Sequence, residues 1–227
     1  MCGRFALGCA LDALLPNLQG PMPPGLAQHY APRSLIRPGE PVLLQRQEHG
    51  AMESALVLWG LLPEWRKDPL EGPRPFNARA ETVMEKASFR GPWRHRRGLL
   101  PADAFFEKGH RIARSDGEPF WLAALWDRWI GPDGSEVESA VVLTTKPNEL
   151  GAPLHERMPV IIPAGLEQAW GAPLDGPGWR ALEPLLAGGD PAGGQAEPIP
   201  AGLTGRPSSR PLDQLSVDLG GGGCGGW

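Results

Sequence analysis

The sequence predicts a single α+β domain in which many short strands are accompanied by a few peripheral helices. Its 227 residues lie within the range of one large domain, and a 41% hydrophobic composition with nine Trp suffices for a sizeable core. The 27 Pro and 31 Gly favour short strands joined by many turns over a helical bundle. Apolar runs rich in Val and Leu also recur between turn residues, as expected of strands.

The first predicted element is a short helix over residues 10–18, ALDALLPNL, whose apolar residues have helical spacing up to Pro16. We expect an irregular, Pro-rich loop from there to Arg37. Two strands follow, PVLLQR (Pro41 to Arg46) and ALVLWG (Ala55 to Gly60), because both runs are apolar and bounded by turn residues.

A second pair of strands is predicted at FWLAALW (Phe120 to Trp126) and SAVVLTT (Ser139 to Thr145). The turn-forming GPDGS (Gly131 to Ser135) between them predicts that they are antiparallel. RMPVIIP (Arg157 to Pro163) has the composition of a further strand.

Two short peripheral helices are predicted over residues 164–171 and 179–189, with Gly188 and Gly189 as the stop of the second. Beyond them the composition is too poor in apolar residues to offset its own ordering entropy. We therefore expect the domain to span residues 1–219 and a flexible Gly-rich tail to follow over residues 220–227.

The charge distribution is uneven. A net charge of −4 and a pI of about 5.8 argue by themselves against a nucleic-acid partner. However, 18 of the 22 basic residues are Arg, and residues 87–102 contain a basic run without any acid. This run is consistent with a solvated loop or with a nucleic-acid contact. Its basic residues are Arg90, Arg94, His95, Arg96 and Arg97.

The three cysteines, Cys2, Cys9 and Cys224, are too few and too scattered for a disulfide framework, and no pair has metal-ligand spacing. We expect no metal, no cofactor and a reducing cytoplasmic location. No stretch has the arrangement of a signal peptide or the roughly 20 apolar residues of a membrane span. No membrane association is expected.

Four stretches place polar residues in apolar settings bounded by Gly or Pro. Cys2 would carry both a free α-amine and a thiol if Met1 were removed. Structural explanations exist for the others, since Asn77 could cap a helix, Glu107 could be an exposed strand-end acid, and His155 could be a loop histidine. The stretches are CGRF (Cys2 to Phe5), PFNARAET (Pro75 to Thr82), LLPADAFFEK (Leu99 to Lys108) and PLHERMPVI (Pro153 to Ile161).

Taken in order, these stretches resemble the SOS response-associated peptidase (SRAP) family. The family pattern is MCGRF, then WG-x-x-P-x-W, N-A-R-x-E-T, P-A-D-x-(F/W)-(F/Y)-E-W and H-(D/E)-R-M-P. The resemblance covers roughly residues 1–163. The matching blocks are MCGRF (Met1 to Phe5), WGLLPEW (Trp59 to Trp65), NARAET (Asn77 to Thr82), PADAFFEK (Pro101 to Lys108) and HERMP (His155 to Pro159).

The resemblance implies a curved, barrel-like, mainly antiparallel β core with helices outside and a DNA-binding groove. It also implies that the partner is single-stranded DNA containing abasic sites, and that the protein acts as a monomer. After loss of Met1, Cys2 would form a thiazolidine with the ring-opened sugar aldehyde. The α-amine suits this reaction, because its pKa of about 7.7–8.0 leaves it partly neutral near pH 7.

Catalytic roles also follow from the resemblance. Glu107 would transfer protons near the amine and the sugar. His155 would assist opening of the sugar ring, and Asn77 would hold the N-terminal amine or the bound sugar through its amide. The residue types suit these roles.

The resemblance also identifies DNA contacts. Arg4, Arg79 and Arg157 lie beside the motif residues and suit bidentate bonds to phosphate oxygens. Trp65 would stack on a base, although a buried core position is the alternative, and Pro38 would wedge against the base beside the lesion.

The chain departs from the family pattern at three places. Lys108 stands where an aromatic residue follows the glutamate, and Arg66 replaces a second tryptophan. The chain after Ala164 matches weakly, which leaves the pairing of the closing strand open.

Two other functions fit the same residues. The first is a cysteine peptidase with Cys2 as nucleophile, His155 as base and Asn77 as the orienting group, whose natural substrate would be the Met1–Cys2 bond. The second is a binding module for single-stranded nucleic acid without covalent chemistry, which would tolerate changes at Cys2.

Overall fold

The computed structural model describes residues 2–20, 22–172, 182–186 and 194–199. Four α-helices lie in this part of the chain: α1 (Leu11–Leu14), α2 (Pro24–His29), α3 (Ala87–His95) and α4 (Glu167–Gly171). The strands are β1 (Phe5–Leu7), β2 (Arg33–Ile36), β3 (Pro41–Glu48), β4 (Ala51–Trp59), β5 (Asn77–Arg79), β6 (Arg97–Ala102), β7 (Ala104–Glu107), β8 (His110–Ala113), β9 (Phe120–Ile130), β10 (Glu136–Thr145), β11 (Met158–Pro159), β12 (Ile161–Ile162) and β13 (Gln195–Pro198).

The centre of the fold is a closed five-stranded barrel. Strand β10 pairs in parallel with β4, and the ring continues through β3, β6 and β9, each antiparallel to the one before. It closes where β9 pairs antiparallel with β10 over seven residue pairs, from Glu136↔Ile130 to Val142↔Ala124. The predicted fold class, an α+β domain with a barrel-like and mainly antiparallel core, is confirmed.

Strand β9 explains how one short domain buries so many apolar residues. Its sequence FWLAALWDRWI is almost continuously apolar, as expected of a strand covered on both faces. Leu122, Ala124 and Trp126 belong to one buried cluster, and the alternating Ala123 and Leu125 belong to another. The second cluster also holds Trp93 of α3 and Trp170 of α4, so these helices cover the outside of the barrel.

A second sheet, in the order β13-β8-β7-β1-β2, covers another side of the barrel. Phe5 of β1 pairs with Phe105 of β7, and both side chains are buried in the first cluster. The start of the chain is therefore fixed in a sheet rather than left as a free terminus.

The segment expected to be an irregular loop up to Arg37 is partly ordered. It contains α2 and the strand β2, in which Ile36 pairs with Phe5. The prediction of a loop was wrong here because β2 is stabilised by pairing with β1, a contact that its own weakly apolar sequence does not signal. The predicted helix before it is confirmed by α1 and a 3₁₀ turn at Leu15–Asn17.

The chain beyond residue 190 is not structureless throughout. Strand β13 pairs antiparallel with β8, from Gln195↔Ala113 to Pro198↔His110. This strand corrects the expectation drawn from composition, because an existing sheet edge offsets the ordering entropy of a short added segment. The predicted helix stop at Gly188 and Gly189 and the predicted tail at residues 220–227 lie outside the described residues.

The basic run is helix and strand instead of a solvated loop. It forms α3 and the beginning of β6, and Arg97 is buried with 3% of its surface exposed. Its guanidinium donates to the main-chain carbonyls of Trp93, Arg94, Trp170 and Ala172. Arg97 therefore ties the ends of α3 and α4 to the barrel.

The remaining predicted strands are confirmed as β3, β4, the β9–β10 hairpin and the short strands β11 and β12. The helix predicted over residues 164–171 corresponds to α4. Within the described ranges, no helix has the length and apolar character needed to span a membrane.

Candidate active site at the start of the chain

Cys2 lies buried three residues before the first residue of β1, with 1% of its surface exposed. Its thiol donates to the main-chain carbonyl of Arg4 over 3.9 Å. Burial, together with the negative charge of Glu107, raises the pKa of the Cys2 thiol from its ordinary 9.0 to about 12. The thiol is therefore protonated at neutral pH in the folded chain.

Asn77 holds the backbone of Cys2. Its Nδ2 donates a hydrogen bond of 2.8 Å to the Cys2 carbonyl, which also fixes the orientation of the amide. The other amide atom, Oδ1, is buried and has no donor among the described residues. An unpaired buried acceptor costs on the order of 1–3 kcal/mol, so the site presents an acceptor to an incoming amine or hydroxyl.

The strand that carries Asn77 is positioned at a corner of the barrel. Strand β10 pairs with β4 up to Ala140 and then with β5 from Val142, so β5 takes over the edge that β4 leaves. Trp59 supports this corner, since its indole donates to the Phe76 carbonyl over 2.9 Å and its ring contacts Phe5 edge-on at 5.0 Å. Trp59 thus connects the strand after Cys2 with the strand of Asn77.

Glu107 is brought to Cys2 by the pairing of β1 with β7. The Phe106 N–H donates to the Arg4 carbonyl over 3.0 Å, which continues the Phe5↔Phe105 register towards the chain start. One further step places Gly3 opposite Glu107. The carboxylate lies close enough for its charge to raise the pKa of the Cys2 thiol.

The residues after Glu107 form the tight turn of the β7–β8 hairpin. Lys108 and Gly109 have φ angles of 41° and 79°, and Glu107 pairs with His110 across them. Two consecutive positive φ angles are typical of a type I′ turn, which favours glycine and strains Lys108. The exposed lysine at this departure from the family pattern is therefore part of the turn that ends β7.

His155 lies in the loop between β10 and β11. Its Nδ1 accepts a hydrogen bond of 3.0 Å from the Arg157 main-chain N–H, so in the neutral ring the proton is on Nε2. Thr144 near the end of β10 pairs with Arg79 of β5 on one side and with Pro159 of β11 on the other. The loop of His155 and the strand of Asn77 therefore flank the same end of β10.

Glu81 and Arg157 join these two segments. Arg157 Nη1 and Nη2 donate to Glu81 Oε1 and Oε2 over 2.6 and 2.8 Å, and Nη2 also contacts the Thr144 carbonyl. The hydrogen bonds from Arg157 hold the pKa of the Glu81 carboxyl below its ordinary value. Sequence reasoning singled out Arg157 but missed Glu81, whose only signal was its place four residues after Asn77 in the NARAET block.

The predicted DNA contacts differ in their exposure. Arg79 is exposed and Arg4 is half-buried, and neither guanidinium has a hydrogen bond or ion pair within the described residues. Arg157 is largely engaged by Glu81 and Thr144. Pro38 is half-buried in the turn that precedes β3. Two of the three predicted arginines thus have guanidiniums without a partner among the described residues, and the third is held by the protein.

Trp65 has 59% of its surface exposed, which excludes the alternative of a buried core position. The loop that carries it is anchored by neighbouring residues. The Arg66 carbonyl accepts from the Trp129 indole over 2.7 Å, and the Arg66 guanidinium donates to the Glu71 and Pro73 carbonyls. Arg66, which replaces the second tryptophan of the family pattern, therefore stabilises the loop that carries Trp65.

Arg96 of the basic run is engaged by acidic residues. Arg96 forms ion pairs with Asp127 and Glu64 at the outside of the barrel. Among the residues that the structure describes, no group of three His, Cys, Asp or Glu side chains is placed to hold a metal ion.

In comparison with protein-family models, residues 1–188 match the family described as SOS response associated peptidase (SRAP). Abasic site processing protein YoqW of Bacillus subtilis (strain 168) is 35% identical over 181 residues, covering 75% of this chain and 80% of the relative. Abasic site processing protein HMCES of Rattus norvegicus is 26% identical over 220 residues, covering 71% of this chain and 61% of the relative.

Solved structures share the fold. A crystal structure of a protein from Bacteroides thetaiotaomicron superposes with a TM-score of 0.76 at 24% identity, covering 87% of this chain and 92% of that one. A crystal structure of a phage-related protein from Bordetella bronchiseptica gives a TM-score of 0.66 at 25% identity, covering 88% of this chain and 94% of that one.

Proposed function

The chain belongs to the SOS response associated peptidase family, and on this premise we propose that it captures abasic sites in single-stranded DNA covalently through Cys2. Relatives with 35% and 33% identity are abasic site processing proteins of Bacillus subtilis. They support a substrate in damaged DNA. The buried Cys2, held through its carbonyl by Asn77, is the observation that carries the choice of the reacting residue.

The reaction begins once Met1 has been removed. The freed α-amine of Cys2 attacks the C1′ aldehyde of the ring-opened sugar, and loss of one water leaves an imine. The thiol then adds across the C=N bond, with sulfur bonding to C1′ and the proton passing to nitrogen. The product is a five-membered thiazolidine. Ring closure is fast because both nucleophiles belong to one residue.

The state of the thiol fits this order of steps. In the chain that still carries Met1, the pKa of the thiol is raised to about 12, so the sulfur is a neutral thiol before the α-amine is freed. The α-amine, with an ordinary pKa of about 7.7–8.0, is the group available as nucleophile near neutral pH. Asn77 Oδ1 offers an acceptor to that amine or to a sugar hydroxyl.

Two groups move protons in this scheme. Glu107 takes a proton from the attacking amine and returns one to the departing hydroxyl, because the β1–β7 register brings it to the start of the chain. His155 donates from Nε2 to the sugar ring oxygen and so assists opening, since its Nδ1 accepts the Arg157 N–H.

The DNA strand is held by charge and stacking. Arg4 and Arg79 bind phosphates flanking the lesion, and Arg157 contributes the donors that Glu81 leaves free. Trp65 supplies an exposed face for a base, and Pro38 wedges against the base beside the lesion. The acidic net charge of −4 favours binding directed by the lesion over indiscriminate strand binding.

A thiol peptidase remains the second candidate, and the name of the family favours it. However, a protonated and buried thiol is a poor nucleophile for general proteolysis. Cleavage of the Met1–Cys2 bond within the chain is the one peptidase reaction that needs no access for a protein substrate. Incubation of the mature protein with casein and with an abasic oligonucleotide separates the two functions, and we expect a covalent adduct without casein fragments.

A further inference from the structure

The outer face of the second sheet carries a row of three residues, Arg4, Phe106 and Arg111. The Phe106 N–H donates to the Arg4 carbonyl over 3.0 Å, and Phe106 pairs with Arg111 between β7 and β8. Residues directly opposite one another on antiparallel strands project from the same face. Their neighbours Phe5 and Phe105 are buried against the barrel, so this row faces away from it.

The row lines a cleft of about 320 Å³. Ser34 borders it on the β2 side, and Ile199 borders it beyond β13. On the same sheet Ala6, Ala104 and Ala113 form a small buried cluster against which Phe106 packs. The half-buried ring of Phe106 and the side chain of Leu35 line the cleft, so an aromatic and an aliphatic group face its space.

Neither guanidinium of the cleft is paired with a carboxylate of the described chain. Within the described part of the chain, neither Arg4 nor Arg111 has a side-chain hydrogen bond or an ion pair. Asp103 also lines the cleft, where its Oδ2 accepts from the main-chain N–H groups of Gly8 and Cys9 and its Oδ1 is buried without a hydrogen-bond donor among the described residues. Glu197 pairs with Arg111 across the β8–β13 ladder but forms no ion pair with it. Two like charges on either side of one ring repel each other until an anion enters.

The cleft lies next to the candidate active site along the paired segments of β1 and β7. Gly3 precedes Arg4, and Glu107 follows Phe106, with alternate residues on opposite faces of the sheet. The turn of the hairpin, at Lys108 and Gly109, lies at the end of the sheet. A DNA strand that runs from the candidate active site to the cleft would pass around this turn from one face of the sheet to the other.

We propose that this cleft is a subsite for a nucleotide flanking the abasic site. Arg4 and Arg111 bind its phosphodiester from two sides, and Phe106 stacks on its base. The proposal rests on the proposed function, since the strand is positioned by the lesion at Cys2. It adds Arg111 and Phe106 to the DNA-binding residues and assigns a path to one flank of the strand.

The test compares three variants with the full-length wild-type protein on abasic single-stranded oligonucleotides that are extended one nucleotide at a time on either side. Arg111→Ala removes one charge, Phe106→Leu removes the ring, and Arg114→Ala is the matched control because Arg114 is paired with Asp116. For Arg111→Ala we expect roughly tenfold weaker binding and a salt slope smaller by about 0.7. For Phe106→Leu we expect weaker binding with an unchanged slope.

The wild-type affinity should rise as the oligonucleotide is extended on one side only, and Arg111→Ala should remove that rise. Equal affinities and equal salt slopes for wild type, Arg111→Ala and Arg114→Ala would overturn the subsite while wild-type crosslinks still form. Absence of any crosslink with the wild-type protein would instead overturn the proposed function. A similar loss for Arg111→Ala and Arg114→Ala would show a general charge effect and would also overturn the subsite.

Discussion

The side-chain amide of Asn77 donates a hydrogen bond of 2.8 Å to the main-chain carbonyl of Cys2, across 75 residues of sequence. Asn77→Ala should slow crosslinking at saturating DNA by about ten- to a hundredfold, because both the bond to Cys2 and the acceptor Oδ1 are lost. Single-turnover gel assays measure the rate. Asn17→Ala is the control, since Asn17 is an exposed asparagine at the end of a 3₁₀ turn. Equal rates for the two variants would remove Asn77 from the mechanism.

The ion pair between Glu81 and Arg157 should position His155. In Glu81→Gln one of the two acceptor oxygens is lost, so the ion pair with Arg157 is replaced by a weaker hydrogen bond. The loop of His155 should then move relative to β5. We expect roughly tenfold slower crosslinking at saturating DNA, and a change in the ¹⁵N shifts of the His155 ring away from the Nε2–H form. The exposed Glu85→Gln is the control.

A different outcome for Glu81→Gln would assign a different role to the pair. If the variant bound DNA more tightly and crosslinked at the wild-type rate, Glu81 would merely mask the charge of Arg157. Unchanged ¹⁵N shifts would likewise contradict a positioning role.

The raised pKa of the Cys2 thiol predicts slow alkylation. When the pKa of the thiol rises from its ordinary 9.0 to about 12, the fraction present as thiolate at pH 8 falls by about a thousandfold. Iodoacetamide should therefore label Cys2 in the native unprocessed chain far more slowly than in the denatured chain, as measured by peptide mass spectrometry. The burial of this neutral thiol stabilises the fold below pH 9, and that contribution should be lost as the pH rises towards 12. Native labelling as fast as denatured labelling would contradict a buried, protonated thiol.

For Arg97, which lies in the basic run, we predict a contribution to the stability of the fold. Arg97→Met leaves four main-chain carbonyls without their donor, which should lower the free energy of unfolding by roughly 2–4 kcal/mol. The exposed Arg94→Met should change it by less than about 0.5 kcal/mol. Urea denaturation measures both. Similar stabilities for the two variants would contradict a structural role for the Arg97 guanidinium.

The barrel strands were predictable because their information is local. The β9–β10 hairpin follows from two apolar runs around GPDGS, and β3 and β4 follow from apolar runs between turn residues. Strands β2 and β13 could not be predicted in this way, since Ile36 and Gln195 are ordered by pairing with distant strands.

The same distinction between local and long-range information applies to the candidate active site. The residue types of Cys2, Asn77, Glu107 and His155 were visible in the motifs, but their approach to one another depends on contacts across the barrel. The pairing of Glu81 with Arg157 spans 76 residues and has no local signal, so the family resemblance predicted only a phosphate contact for Arg157. The basic run was predicted to be a solvated loop or a nucleic-acid contact. The structural role of Arg97 could not be predicted, because its guanidinium donates to carbonyl groups that become neighbours only after folding.

The most direct test of covalent capture through Cys2 is intact-protein mass spectrometry after incubation with an abasic single-stranded oligonucleotide. The adduct should have the mass of the chain without Met1 plus the oligonucleotide minus one water, survive heating, and map to the peptide that begins at Cys2. In Cys2→Ser the adduct should be lost on heating unless it is reduced with borohydride, and an extra residue ahead of Cys2 should abolish both adducts. A protein with such a blocked N-terminus that still crosslinked at the wild-type rate would place the nucleophile on a lysine and contradict the thiazolidine.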